Sequence, residues 1–338
     1  MERRTMLAGA AALTVGLTLA EGVSHAQQAS RVFRVGVLVN GGASVEGKPN
    51  PQVEGLRSGL AQLGYLEGKS VVYEARFPDG QLDRLPGLAV ELVGIGVDVI
   101  ATFGGPSTNA ARRATTTVPI VAALVADPVA IGVAATLERP GSNVTGATNN
   151  DPELASRQLA ILKAILPKLA RVAILSDSDI PGADASGLAP IERSNVAAAR
   201  AAGLTPQVLK IRGPKPDLET AFRAMTAEGA EVLVVLEVPA TIRDRKRIAE
   251  LATKQRLPTM FWGGASDSGC LLSYGTSFTA SFPPLPGIID KILKGARPAE
   301  TPFAVISQRE LSINLKTAGE LGLTLPGELI SRADLVIK

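Results

Sequence analysis

The stretch "VDVIATFGGPSTNAARRATTTVPIVAAL" (residues 97–124) decides how the chain is read. Its apolar run Val97–Phe103 has the length and β-branched content of a buried strand. The run ends in Gly104-Gly105-Pro106-Ser107-Thr108 and gives way to an Ala-rich, helix-prone segment, after which Val118–Leu124 is strand-like again. That layout delivers the C-terminal end of a strand to a helix N-terminus, where unpaired N–H groups attract anions. A phosphate cradle, a socket for another ligand and a plain tight turn all fit these residues.

The same rhythm runs outward in both directions. Phe33–Val39 reads as a first strand. Val53, Leu56, Leu60 and Leu63 then fall at helical spacing, with Gly64 as a C-cap. Val71–Phe77 is a strand and Leu85–Val93 a helix; past the opening stretch come a helix near Ala130–Leu137 and a short strand, Asn143–Thr148. The pattern restarts with a helix from Pro152 to Leu166 and a strand over Ala170–Ser176. Helices over 191–202, 218–228 and 243–255 alternate with strand-like 206–211, 231–237, 258–261 and 271–274. Repeated β-α-β units imply parallel sheets with helices on both faces. The remaining residues 276–338 hold a helix (Leu285–Lys294), an extended run (Phe303–Asn314) and a short terminal helix. They are too few for a third lobe and suit a chain that passes back to the first lobe and returns to the second.

The expected architecture is therefore α/β, with two doubly wound parallel-sheet lobes joined by a multi-crossover hinge. One lobe takes 31–148 plus 276–300 and the other 149–275 plus 301–338. Residues 1–26 read as a signal peptide: Arg3-Arg4, an apolar run from Met6 to Ala20, and Ser24-His25-Ala26 at the cleavage site. The run is short for a membrane span. Arg3-Arg4-Thr5-Met6-Leu7 is similar to a twin-arginine signal with Met6 in place of the usual Phe, so the export route stays open.

Composition narrows the chemistry. The chain has 338 residues, 46% hydrophobic and 20% charged, with a net charge of +3 and no block of Lys and Arg. That is a globular balance, and it gives no footprint for nucleic acid. The single His, His25, lies in the signal segment, and the single Cys, Cys270, sits in an apolar run as a structural thiol. A Ser–His–Asp triad is thus impossible in the mature chain. No G-x-x-x-x-G-K-[ST], G-x-G-x-x-G or G-x-S-x-G occurs at a strand end. No cofactor or metal is called for.

Parallel sheets bind ligands beyond the C-terminal ends of their strands. Those ends carry Asn40-Gly41-Gly42, Gly104 to Thr108, Ala126-Asp127-Pro128, Ser176-Asp177-Ser178-Asp179, Glu237-Val238-Pro239 and Gly263 to Ser266. Any one of these is also an ordinary cap or turn.

The run "DPVAIGVAATLERPGSNVTGATNN" (127–150) closely resembles a signature of bacterial ABC-transporter substrate-binding proteins, in the branch that binds tryptophan and other aromatic amino acids. That signature runs D-P-V-x-x-G and ends R-P-G-G-N-V-T-G; here only Ser142 departs from it. "IIDKILKGARPAETP" (288–302) and "INLKTAGELGLTLPGELISRADLVI" (313–337) resemble the same family's C-terminal segments. The resemblance implies a type I-like periplasmic-binding-protein fold with three crossovers. It also implies a ligand held between closing lobes and a permease partner in the inner membrane, with the protein monomeric and periplasmic. By position it places ligand contacts at Asn40, Gly105, Ser107, Thr108, Asp127 and Tyr274, with Asp177 and Glu237 in the second lobe.

On that reading a ligand carboxylate accepts N–H bonds and a hydroxyl from Ser107 and Thr108. An ammonium would pair with Asp127, Asp177 or Glu237. Tyr274, Phe103, Phe261 and Trp262 are the aromatic residues near strand ends, the last three also suited to core. The leading expectation is the binding component of an ABC importer for a small amino-acid-like or carboxylate-bearing ligand. A periplasmic receptor for a membrane signalling protein and an exported carboxylate-dependent α/β enzyme remain as alternatives.

Overall fold

The computed structural model describes residues 31–45, 47–276 and 283–338; the expected signal segment and His25 lie outside them. In chain order the first half reads β1 (Phe33–Leu38), a two-strand ribbon of β2 (Ser44–Val45) and β3 (Lys48–Pro49), α1 (Pro51–Gln62), β4 (Val71–Arg76), α2 (Leu85–Gly94), β5 (Val99–Phe103), α3 (Gly105–Ala114), β6 (Ile120–Val125) and β7 (Val144–Thr148). The second half reads α4 (Leu154–Ile165), β8 (Arg171–Asp177), α5 (Pro190–Ala201), β9 (Thr205–Ile211), α6 (Leu218–Ala227), β10 (Val232–Val235), α7 (Pro239–Arg243), α8 (Arg245–Lys254), β11 (Thr259–Phe261) and β12 (Leu272–Thr276). The return segment holds α9 (Pro284–Leu293), β13 (Ala304–Val305), β14 (Arg309–Asn314), α10 (Leu315–Leu321), α11 (Gly327–Ser331) and β15 (Leu335–Ile337).

These strands form two separate large sheets. The first has the order β13-β7-β6-β5-β1-β4, parallel throughout; the second runs β15-β14-β12-β11-β10-β8-β9, with β12 and β14 antiparallel. Each sheet is covered on both faces. Val35, Val37, Val99 and Val121 pack under α1 and α9, while Leu38, Ile100, Ile120 and Val144 pack under α2 and α3. In the second sheet Val172, Ile174 and Val234 face α4 and α5, and Ala173, Leu175 and Val235 face α6 and α8. Burial on both faces is why these strands read as continuous apolar runs.

The chain crosses between sheets three times: after β7, between β12 and α9, and between β13 and β14. The extended run 303–314 is thus two strands on two sheets. The first and third crossovers are braced together, Arg309 Nε lying 2.8 Å from Asp151 Oδ2 in an ion pair whose carboxylate side chain is only 6% exposed. Burial alone would raise the Asp151 carboxyl. The Arg309 hydrogen bond, the Glu153 amide and the charges of Arg309 and Arg157 outweigh it and hold the group below the ordinary carboxylate value.

One expected element is corrected. Residues 130–137 form turns, not a helix. Asp127 Oδ1 accepts from the Val129 and Ala130 N–H groups, and Gly132 turns the chain at φ +71°. The Val133 and Ala134 amides then return to the Pro128 carbonyl, so the helical ladder never starts.

Candidate functional site between the sheets

Loops beyond the C-terminal strand ends of the two sheets come into direct contact at residues without room to spare. A Cβ on Gly105 would lie 3.3 Å from Pro181 Cγ, one on Gly182 would lie 3.4 Å from Ile131 Cγ2, and one on Gly80 would lie 2.9 Å from Arg243 Nη1. Each of these contacts joins the first lobe to the second.

On the first-lobe wall, Asn40 leaves β1 and clasps the opening turn. Its Nδ2 donates to the Phe103 carbonyl at 2.8 Å, and its Oδ1 accepts the Ser107 N–H at 3.1 Å. Gly104 caps α3 at φ +96°, and a Cβ there would stand 2.3 Å from Asn40 Nδ2, so only glycine fits. Ser107 Oγ donates to the Phe103 carbonyl at 2.9 Å. Thr108 Oγ1 reaches the Gly104 carbonyl and Thr102 Oγ1, each at 2.8 Å, and both side chains are fully buried. The expected donors of a carboxylate socket are therefore engaged with the protein itself. Pro106 has no N–H, which leaves the Gly105 amide as the unspent donor of the turn. Asp127 caps a turn through its Oδ1.

On the second-lobe wall, Asp177 ends β8 almost fully buried. Its Oδ1 accepts from the Asp179 N–H at 2.9 Å and its Oδ2 from the Ala240 N–H at 3.0 Å, at the start of α7. Desolvation pushes this carboxyl up, against the pull of the two amides. Among the described residues Glu237, beyond β10, has one polar contact, the Asn149 amide, whose Nδ2 lies 3.1 Å from its Oε2. Burial pushes the Glu237 carboxyl up to about 7, with the Asn149 hydrogen bond opposing. Glu237 is half-buried as a residue.

Tyr274 packs on the α4 face of its sheet, and its carbonyl accepts from Gln158 Nε2 at 2.8 Å. Phe103, Phe261 and Trp262 are core. Cys270 is buried as well, which pushes its thiol up to about 12. The residue sequence reasoning missed is Asn149, an unremarkable Asn until Glu237 is placed beside it. Two open surface depressions, around Arg57 and Tyr73 and around Lys254 and Glu320, include no strand-end residue.

The profile of the family described as ABC transporter substrate binding protein matches residues 41–337. The chain belongs to that family. A conserved domain protein from Vibrio cholerae O1 biovar eltor shares its fold with a TM-score of 0.80 at 24% identity, over 90% of this chain and 100% of that one. A domain from Streptococcus pneumonia solved in complex with L-Trp gives 0.78 at 24%, with the same coverage. A tyrosine-binding protein of Clostridioides difficile strain R20291 is 28% identical over 122 residues, 36% of this chain and 35% of that protein, so the match spans about a third of that relative. The architecture of this ABC substrate-binding protein is that of the type I periplasmic binding proteins, and the family is one of binding proteins, not enzymes.

Within the substrate-binding protein, the family-marking run Arg139–Gly146 does structural work. Asn143 Nδ2 donates to the Thr115 and Val118 carbonyls at 3.1 and 2.8 Å, and Ser142 Oγ to the Val133 carbonyl at 3.0 Å. Thr145 Oγ1 donates to the Thr301 carbonyl at 2.7 Å and the Gly141 N–H to the Ala299 carbonyl at 3.1 Å. The motif ties β7 to the returning chain. A Cβ on Gly146 would stand 1.9 Å from the Ala122 carbonyl oxygen.

Proposed function

We propose that the chain is the exported binding component of an ABC importer. It closes two lobes around a small organic ligand, amino-acid-like or carboxylate-bearing, and presents it to an inner-membrane permease. The observation that carries this reading is the cleft: polar strand ends of both sheets meet behind lips already in contact, and three crossovers let the lobes move as hinged bodies. Family membership and relatives that hold L-Trp or tyrosine support it. Members of the family typically work outside the cytoplasm, which agrees with a leader over residues 1–26, by the general or the twin-arginine route, and a periplasmic monomer.

Gly105 and Asp127 form the first wall of the site, with Asn40 holding the α3 turn behind it and Asp177 and Glu237 on the second. Ser107 and Thr108 shape the α3 turn, so the ligand's acid end meets the Gly105 N–H. Tyr274 supports the second wall from behind. Thermal shift and calorimetry on the purified protein, followed by recovery of the ligand, test the binding step; a ligand returned chemically altered would overturn it. Proteoliposomes holding the permease and its ATPase test the transport step, where uptake that does not depend on added protein sinks the importer reading.

A further inference from the structure

The connection from β8 to α5, residues 178–189, is long for a loop between strand and helix, which ordinarily takes about 2–6 residues. Its tip is one of the places where the second lobe reaches the first. Pro181 Cγ lies 3.3 Å from where a Gly105 Cβ would stand, and Ile131 Cδ1 lies 4.0 Å from the same point. Gly182 turns the tip at φ +85°, and a Cβ there would meet Pro190 Cδ at 3.1 Å and Ile131 Cγ2 at 3.4 Å. Apolar atoms of Pro181 and Ile131 therefore pack over the first turn of α3.

The rest of the loop is strapped to its own lobe. The Ser178 N–H donates to the Ile211 carbonyl at 3.0 Å, and Asp179 pairs with Arg212 at 2.9 Å. Asp184 Oδ1 accepts the Ser186 and Leu188 N–H groups at 2.9 and 3.3 Å. Arg193 donates to the Leu188 carbonyl at 2.5 Å and pairs with Asp184 at 3.2 Å. At the base of the loop lies a fully buried carboxylate, that of Glu192. Its Oε2 accepts the Ala189 N–H at 2.7 Å and meets Lys210 Nζ at 2.9 Å, while the same Nζ donates to the Gly187 carbonyl at 2.6 Å. Glu192 Oε1 is buried with no partner.

A buried carboxylate left half-satisfied is a poor source of stability, and an apolar pair of similar volume would hold α5 on β9 at less cost. What the charged pair supplies is position. One ammonium and one carboxylate fix the loop backbone at 187 and 189 to β9 and α5. Fixing the base of the loop removes freedom that its tip would otherwise lose on meeting the first lobe.

We propose that loop 178–189 is the latch that holds the lobes closed, and that the Glu192–Lys210 pair is its positioning device. The pair acts through Pro181 and Gly182 and not on a ligand. The proposal rests on the reading of the chain as a cleft-closing binding protein.

The test is a double-mutant cycle on the purified protein, read by calorimetry and stopped-flow dissociation with L-tryptophan, L-tyrosine, L-leucine and benzoate as probes. For the probes that bind, Pro181→Gly and Lys210→Met should each weaken binding about 3- to 10-fold, through faster dissociation. The double variant should bind no more weakly than Pro181→Gly alone, because the pair has only the tip to act through. Lys210→Arg keeps the charge and should hold affinity within about twofold of wild type. A purely structural pair would lower the melting temperature of Lys210→Met and leave affinity unchanged, or would weaken binding independently of Pro181→Gly; either result overturns the proposal. Where Lys210→Met does not fold, Glu192→Gln/Lys210→Met removes both charges and takes its place in the cycle.

Spin labels on Val90→Cys and Ala227→Cys, both exposed and one on each lobe, read closure with and without probe, the native Cys270 being buried. Their mean distance should lengthen in Pro181→Gly and Lys210→Met alike. A distance unchanged in both variants overturns the latch and leaves the binding-protein reading intact. No probe binding, with the lengthening present, overturns the ligand class proposed above and supports the latch.

Discussion

The two walls of the cleft spend their polar groups differently. At the α3 turn of the first lobe, the side-chain groups of Asn40, Ser107 and Thr108 are bonded within the protein. Where the β10 loop meets the first crossover, Asn149 donates to Glu237 and keeps its own oxygen without a donor. The Asn40 clasp is built for the fold, whereas the Asn149 oxygen is left without a donor. Polar groups satisfied in the free protein stabilise it; polar groups left unsatisfied cost stability. Substitution should therefore act in opposite directions on the two walls.

The joint between them is the most sensitive place to break. Arg309→Ala leaves the buried Asp151 carboxylate with only the Glu153 amide and Arg157 and is expected to cost about 1–3 kcal/mol in urea unfolding at neutral pH. Because the folded-state Asp151 value is depressed, the ion pair contributes in full above the unfolded carboxylate value and is lost as pH falls through the lower folded one. The gap between wild type and Arg309→Ala should be flat from about pH 5 to 8 and close below about pH 4; a gap that persists in acid removes the electrostatic account.

Glu237→Gln sharpens the contrast with the opposite sign. A carboxyl raised to about 7 stabilises the folded state at low pH and penalises it as pH rises through 7. The variant should gain about 1–3 kcal/mol over wild type at pH 8 and nothing near pH 4, read from denaturation curves without ligand. Asn40→Ala on the first wall should instead lose about 1–2 kcal/mol through the freed Ser107 N–H and Phe103 carbonyl. Its ligand affinity should stay within about threefold of wild type, since contact is not its role; a larger loss of affinity than of stability would make Asn40 a ligand contact.

The smallest effect belongs to the lip. Gly105→Val pushes against Pro181 across the cleft, so it should weaken closure and ligand affinity about 10-fold. Its melting temperature should stay near wild type, and small-angle scattering should show a wider molecule; an unchanged radius of gyration would place the closing contact elsewhere.

Sequence carried the sheets because doubly covered parallel strands are continuous apolar runs, visible in Val99–Phe103 and Val232–Val235. It misjudged 130–137, where alanines suggested a helix but Asp127 and Gly132 impose turns. The short edge strand β13 was hidden within one extended run because two residues carry no periodicity. Candidate site residues were chosen by their place at strand ends, yet their hydrogen-bonding partners were not legible there. Whether Ser107 is free depends on Asn40, 67 positions away, and Glu237 depends on Asn149, 88 positions away. A close glycine approach common to both lobes was equally silent: Gly146 and Gly275 each lie at φ +152°, one pressed to Ala122 and the other to Gly263.

The return of α9 to the first sheet bears on how the molecule is assembled. Leu285, Ile288, Ile289 and Ile292 complete a core begun by Val35 and Leu56, so the first lobe lacks one wall until most of the chain has emerged. Neither lobe is a contiguous piece that can be excised or can finish ahead of the other. A late-arriving helix of this kind makes the order of folding follow long-range contact rather than order of synthesis, and the nascent chain stays vulnerable almost to its end.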